Sequence, residues 1–316
     1  MLPLAEGMRN FWLPKLHHVK GATTESFASW ITRGDFVFSS INSSTTFTIK
    51  ILSTRAGLAA LAHDCNKMAA ASFETFLEIS DSNILPKSCA WISLTTYYGA
   101  FYAAHAILRL CGTICFQVDA PQRQALEKVA DLFGILPVNG IENGFYVGTF
   151  DGLSGEIAFA KTNAGSSGSH NVMWKIFNNE LKRFSVELLS SSTLHSKSAN
   201  FLTSISNSLC QNGTGGGWLS AMRNDVNYKL SHGAWFPYKG LSRKKKDLLS
   251  IAAKWKGDPM AIKLEYPKDP LSQQVATSAA LAALCKLIVL DMLHTGDPKI
   301  FHAYGSASLL KLVKII

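Results

Sequence analysis

Apolar residues along this chain recur mainly at helical spacing, and two shorter stretches alternate apolar with polar residues. Alternation of this kind predicts strands, so residues 35–52 and 140–160 are each expected to form a β-hairpin. Helical periodicity predicts helices at residues 55–79, 88–110, 121–133, 172–189, 197–210 and 275–293, with a short final helix from Ser306. The pattern therefore predicts a mainly α protein with small β-hairpin additions.

Residues 88–110 carry the strongest helical pattern in the chain. One stripe of this helix is apolar or aromatic: Trp91, Leu94, Tyr98, Phe101, His105 and Leu108. Gly99 and the alanines around it are small enough to let neighbouring helices approach closely. We therefore expect a core helix, with His105 as a hydrogen-bonded core histidine rather than a catalytic one.

Residues 217–238 combine an apolar face with polar side chains that a core does not require. The apolar positions follow helical spacing: Trp218, Leu219, Met222, Val226 and Leu230. Arg223, Asn224 and Lys229 lie beside this face. We expect the helix to end near Ser231, because Gly233 favours a stop and Pro237 cannot continue the hydrogen bonding. His232 is then placed at the end of this helix.

Length and composition predict an ordered protein with a large core, since the chain has 316 residues of which 47% are apolar. We interpret residues 1–85 as an N-terminal segment, with a β-hairpin and a helix, packed on the core. Residues 86–316 are interpreted as a helical domain with a β-hairpin insertion at about 140–170. Residues 1–34 show no clear pattern.

Cysteine usage and the long apolar stretch favour a cytoplasmic protein that is not embedded in a membrane. Most of the six cysteines fall in helical patterns, and no secretory signal follows Met1. The apolar run 275–293 contains Lys286 and Asp291, so it is expected to be a core helix rather than a membrane span. No Cys/His spacing is typical of zinc, and no glycine motif is typical of a nucleotide cofactor, so neither is expected.

Positive charge is concentrated in one part of the chain. The net charge is +9, and residues 221–270 hold eleven lysines and arginines but five acidic residues, a net charge of +6. The densest run is Arg243, Lys244, Lys245 and Lys246, and Lys229 lies upstream. These five residues are candidates for nucleic-acid binding, with RNA or DNA favoured over a membrane surface. The alternative for the run is a solvated loop.

Two segments together resemble the HEPN superfamily of prokaryotic α-helical proteins. Residues 97–109 are similar to the helix of aromatic and small residues found in many of these bundles, and Arg223-Asn224 resembles the family's Arg followed by a polar residue. The family's His normally follows that Arg after four to six residues. Here those positions hold Tyr228, Lys229 and Leu230, and the nearest following histidine is His232.

The resemblance implies a metal-independent endoribonuclease of a toxin or antiphage-defence system. Two subunits or domains usually pair in catalytic members, so a homodimer, RNA and a partner protein of such a system are expected partners. Arg223 would hold a phosphate, His232 would act as acid or base, and Asn224 would orient the reacting groups. The alternatives are a catalytically inactive helical module that binds nucleic acid or a protein, and an enzyme whose site lies within residues 1–85.

Overall fold

The protein is mainly α-helical. A computed structural model describes residues 2–81, 88–163, 168–236 and 241–315. The strands in these ranges are β1 Phe36–Ser43, β2 Thr46–Ile51, β3 Thr113–Val118, β4 Gly144–Asp151 and β5 Glu156–Lys161. The α-helices are α1 Leu2–Trp12, α2 Phe27–Arg33, α3 Thr54–Asp81, α4 Cys89–Leu110, α5 Ala120–Leu132, α6 Gly168–Ser191, α7 Ser196–Leu209, α8 Trp218–Asn227, α9 Leu241–Ala253, α10 Pro270–Thr295 and α11 Ser306–Leu312.

Three long helices, α3, α4 and α10, pack together in the core. Helix α4 begins after Ser88, whose side chain accepts a hydrogen bond from the backbone amide of Trp91. The helix approaches α3 so closely that a Cβ atom added at Gly99 would lie 2.6 Å from the ring of Phe76. This close approach confirms the expectation from the small residues. Gln274 on α10 donates to the carbonyl of Ser93 at 2.9 Å, which joins α10 to α4 inside the core.

The two predicted hairpins are not separate additions, as the sequence suggested, but parts of one sheet. All neighbouring strands are antiparallel and their order is β1-β2-β5-β4-β3. Helix α2 packs on this sheet through Phe27, whose ring centroid lies 5.2 Å from that of Phe116. Strand β3 was not predicted, because residues 113–118 are buried on both faces and show little alternation.

Among the helices that the structure describes, α10 is the one that is long and apolar enough to cross a membrane. Its most apolar part is buried inside the protein. Arg9 on α1 forms two hydrogen bonds, of 2.6 and 2.8 Å, with the carboxylate of Asp291 on α10. The charged residue within the apolar run therefore has a partner from the N-terminal helix.

The sequence pattern correctly placed α3 to α7, α10 and α11 to within a few residues. Helices α1 and α2 fall in the stretch for which no structure was predicted. Helix α9 includes the basic run 243–246, so the alternative of a solvated loop is wrong for its backbone. The sheet takes β1 and β2 from residues 1–85 and the other strands from residues 86–316.

Candidate functional site

Helix α8 ends four residues earlier than the sequence predicted. It ends at Asn227, and Leu230 and His232 both have positive φ angles, of 51° and 63°. The chain turns back at this point because the indole of Trp235 donates at 2.7 Å to the carbonyl of Val226, which the next helical turn would otherwise have used. Pro237 lies outside the described residues.

This early turn separates two of the predicted catalytic residues. His232 lies against Asp225, with 4.0 Å between Nε2 and Oδ2. Two residues of helix correspond to about 200° of rotation, so Asp225 points away from the side on which Arg223 lies. The side-chain contact of His232 within the described residues is thus with Asp225 rather than with Arg223. Asn224 is exposed on the same helix.

Arg223 lies between two tyrosine rings and is half-buried. Its Cζ is 5.5 Å from the ring centroid of Tyr97 and 5.9 Å from that of Tyr228. A long hydrogen bond of 3.5 Å joins Nη1 to the Tyr228 hydroxyl. The buried Nε has no hydrogen-bond partner, and no carboxylate in the described ranges pairs with this guanidinium. Arg223 thus keeps several donors available for an anion.

His170, which the sequence analysis did not select, lies beside Arg223. It is in the first turn of α6, and its Nδ1 is 2.9 Å from the hydroxyl oxygen of Tyr97. Burial lowers the pKa of His170, and the positive charge of Arg223 lowers it further. The imidazole is therefore neutral at pH 7, with Nδ1 engaged by Tyr97.

Tyr97 and Trp174 hold His170 in place. Both side chains are fully buried, and the indole Nε1 of Trp174 donates to the Tyr97 hydroxyl at 3.2 Å. Phe101 stacks on the imidazole of His170, with ring centroids 4.2 Å apart and planes 14° from parallel. Burial raises the pKa of Tyr97, so this hydroxyl stays protonated and can donate.

A second Arg/His pair also lies against Phe101, whose ring centroid is 4.6 Å from that of His105. Arg109 donates to Nδ1 of His105 at 2.9 Å and to the carbonyl of Cys115 at 3.1 Å. Burial lowers the pKa of His105 well below its usual range, with Arg109 and His170 contributing in the same direction. His105 and Arg109 are 6% and 7% exposed, which agrees with the prediction of a hydrogen-bonded core histidine.

The basic residues differ in how much of their charge is free. Lys229 forms an ion pair with Asp225 at 2.7 Å, and Lys244 forms one with Asp269 at 3.0 Å. Lys245 is half-buried and Lys246 is exposed on α9, whereas the side chain of Arg243 lies outside the described residues. Among these lysines, Lys246 is the most available to an anionic partner.

This end of α9 lies near the start of α4. Lys244 and Lys245 both lower the pKa of Cys89, although burial of that thiol raises it more. Cys89 is eight residues before Tyr97, which corresponds to about 12 Å along a helix. Helix α9 therefore packs against α4, the helix that also carries Tyr97.

Exposed aromatic rings surround the pair. Tyr228 is 70% exposed and Tyr98 is 39% exposed, and the Tyr98 ring centroid is 6.3 Å from that of His170. Trp91 was expected to face the core but is 55% exposed, and it lines a cavity of about 540 Å³ with Glu74 and Glu78. The glutamates make that cavity unfavourable for phosphate, so Tyr228 and Tyr98 are the better positioned surfaces for a base.

Sequence reasoning missed His170 and Tyr97 for identifiable reasons. The helix was predicted to start at about Val172, so His170 fell just before it, whereas α6 starts at Gly168. The stripe placed Tyr98 in the core, but Tyr97, one residue and 100° earlier, is the buried tyrosine. The i, i+4 spacing of His170 and Trp174 was the available signal.

In the described ranges, no three His, Cys, Asp or Glu side chains come together in a group that could hold a metal ion. All six cysteines are free thiols. Comparison with protein-family models, curated proteins and solved structures found no match for this chain. The chemistry of the site therefore rests on the geometry of Arg223, His170 and Tyr97.

Proposed function

We propose that this protein is a metal-independent endoribonuclease of a prokaryotic toxin or antiphage-defence system, built on a HEPN-like helical bundle. The site consists of Arg223 and His170. One observation carries the proposal: a half-buried guanidinium, without a carboxylate partner in the described residues, lies beside a neutral imidazole. A buried cation that no protein acid neutralises is suited to an anionic ligand such as a phosphate.

The residue types fit cleavage by the neighbouring 2′-hydroxyl. Arg223 holds the phosphate and stabilises the additional negative charge of the transition state. The 2′-oxygen forms a bond to phosphorus and its proton goes to water, while the bond to the 5′-oxygen breaks. His170, protonated when the anionic phosphate is bound, gives its Nε2 proton to that leaving oxygen. The product is a 2′,3′-cyclic phosphate.

The surroundings suit RNA rather than a small anion. Lys246 is exposed on a basic helix that packs against α4, the helix that carries Tyr97, and its free charge can contact the backbone of a bound RNA. The exposed ring of Tyr228, next to the guanidinium, offers a stacking surface for an unpaired base. Cytoplasmic location remains a prediction from the sequence.

A second candidate function is binding without cleavage, as a catalytically inactive HEPN-like module that recognises nucleic acid or a partner protein. The lowered pKa of His170 favours it, because a neutral imidazole is a weak proton donor. Both functions share the phosphate contact of Arg223. They differ in whether the chain cleaves the RNA that it binds.

The two functions are separated by incubating labelled single-stranded RNA with the purified protein in EDTA. We expect cleavage with 2′,3′-cyclic phosphate ends, lost by at least about a hundredfold in Arg223→Ala and His170→Ala. His232→Ala is the matched control, because His232 contacts Asp225 rather than Arg223. Tight binding without cleavage would favour the inactive module. Equal cleavage by the wild type and the first two variants would contradict the proposed site.

A homodimer is part of the proposal, because it is expected from the family resemblance. One chain already brings Arg223 and His170 together through Tyr97, so a site shared between two copies is not required for this pair. Mixing the Arg223→Ala and His170→Ala proteins should therefore restore no activity. Restored activity would show that each site takes its arginine and histidine from different subunits.

A further inference from the structure

The hydrogen bonds around His170 determine more than its position. The Trp174 indole can only donate, so the Tyr97 oxygen accepts at 3.2 Å from Nε1. The guanidinium of Arg223 can also only donate, and its positive charge, with Cζ 5.5 Å from the Tyr97 ring centroid, favours a lone pair on the same oxygen. Both interactions leave the Tyr97 proton free to point at Nδ1 of His170, 2.9 Å away.

We infer that Tyr97 and Trp174 are positioning residues that fix His170 as the tautomer with its proton on Nε2. In this tautomer, which is that of the protein before RNA binds, Nδ1 accepts a hydrogen bond from the Tyr97 hydroxyl, and Nε2–H has no hydrogen-bond partner in the described residues. When bound phosphate favours protonation of His170, Nδ1–H donates to the Tyr97 oxygen instead and Nε2–H still faces the ligand. The ring and the guanidinium then both present N–H donors to one ligand. Such a site binds an oxyanion, here the phosphate of RNA, and disfavours a ligand that can only donate hydrogen bonds.

This inference deepens the proposed function, since it specifies how the same site recognises its substrate. It also explains why three buried or half-buried aromatic rings, Tyr97, Phe101 and Trp174, surround one imidazole. Phe101 fixes the plane of the ring by stacking but has no polar group. Only the Trp174 and Tyr97 pair can select between the two nitrogens.

The tautomer can be measured without RNA by ¹⁵N NMR of the histidine side chains, with His170→Gln identifying the signals. We expect an unprotonated Nδ1 and a protonated Nε2 in the wild type. Tyr97→Phe removes the hydroxyl and should give averaged shifts of a mixture of tautomers. Tyr98→Phe is the matched control on the same helix and should leave the signals unchanged. A protonated Nδ1 in the wild type, or unchanged shifts in Tyr97→Phe, would overturn the inference.

Trp174 is tested separately, because the Ser220 hydroxyl also lowers the pKa of Tyr97 and is a second polar group that acts on this oxygen. Trp174→Phe should partly average the His170 signals, whereas Ser220→Ala should keep those of the wild type. The reverse result would assign the directing role to Ser220 and contradict the one given to Trp174. Circular dichroism shows whether each variant is folded, and Tyr97→Phe provides an independent test if Trp174→Phe is not.

Affinity for RNA gives the second measurement. A 2′-O-methyl oligonucleotide, which cannot be cleaved, should bind to Tyr97→Phe about five- to tenfold more weakly than to the wild type, and equally well to Tyr98→Phe. If the wild-type protein shows the expected tautomer but does not bind this oligonucleotide, the proposed function is contradicted and the positioning role is not. If the wild-type protein binds this oligonucleotide but its NMR spectrum shows His170 protonated on Nδ1, the positioning role alone would be contradicted.

Discussion

Two Arg/His pairs each have an imidazole in contact with Phe101, and they differ in what their hydrogen-bonding groups contact. Arg109 and His105 are buried, and Arg109 contacts His105 and a backbone carbonyl inside the protein. Arg223 is half-buried between tyrosine rings and has a single long hydrogen bond, while His170 uses only Nδ1. The Arg109 and His105 pair is part of the core, whereas the Arg223 and His170 pair is available to a ligand.

The difference shows that residue type alone does not identify a site. Arg109 contributes to stability in the core because its terminal nitrogens are paired with His105 and the Cys115 carbonyl, so its Nε alone is buried without a hydrogen-bond partner in the described residues. Arginine and histidine with unused donors contribute little to stability and are suited to binding. The comparison therefore predicts which pair controls folding and which controls interaction with RNA.

The largest expected effect is on stability, from substitution of the buried arginine. Arg109→Met should lower the free energy of unfolding by about 2–3 kcal/mol, because Nδ1 of His105 and the Cys115 carbonyl lose their donor while buried. Arg223→Met should lower it by less than about 1 kcal/mol. Urea unfolding of both variants measures the difference, and equal losses would show that the two pairs do not differ as proposed.

The next effect concerns pH, through the buried histidine. Burial lowers the pKa of His105 in the folded protein, whereas the unfolded chain takes up a proton near pH 6.5. The stability that depends on neutral His105 is therefore fully present above pH 6.5. It is lost as the pH falls from 6.5 toward the lower pKa that His105 has in the folded protein. The slope is at most about 1.4 kcal/mol per pH unit for one proton.

Substitution of His105 should flatten this dependence. Urea unfolding from pH 7.5 to 5 should show a shallower slope in His105→Gln than in the wild type, and a smaller change in His170→Gln, because His170 is only half-buried. The charged or titratable groups that interact with this imidazole or its arginine are Arg109, Asp64, His170, Cys65 and Cys115. A steeper slope in His105→Gln would contradict the assignment.

The smallest expected effect distinguishes two lysines of the basic helix. Lys246→Ala should weaken RNA binding by about twofold and reduce the slope of log affinity against log salt by about 0.7, because its exposed charge is free to release a counterion. Lys244→Ala should change both less, since Lys244 already pairs with Asp269. Fluorescence anisotropy at several salt concentrations measures both variants. Salt slopes equal to that of the wild type in both variants would show that the basic run does not contact the bound RNA.

Much of the fold could be predicted from the sequence because helical periodicity is a local property. The spacing of apolar residues placed α4 and α10, and Gly99 indicated the close contact with α3. Local patterns also located Arg223 on a helix with polar groups beside an apolar face. They did not show that the two hairpins share a sheet with β3, since strand pairing joins residues that are far apart in the sequence.

The sequence by itself determined most of the helices, though not α1, α2 or α9, together with the mainly α class and the position of the basic run in the chain. Only the tertiary structure decided which histidine lies beside Arg223. His170 and Tyr97 are 73 residues apart and meet because α4, α6 and α8 pack together. His232, although only nine residues from Arg223, faces Asp225 because the chain reverses after Asn227. Helix packing, rather than distance along the chain, sets which side chains meet.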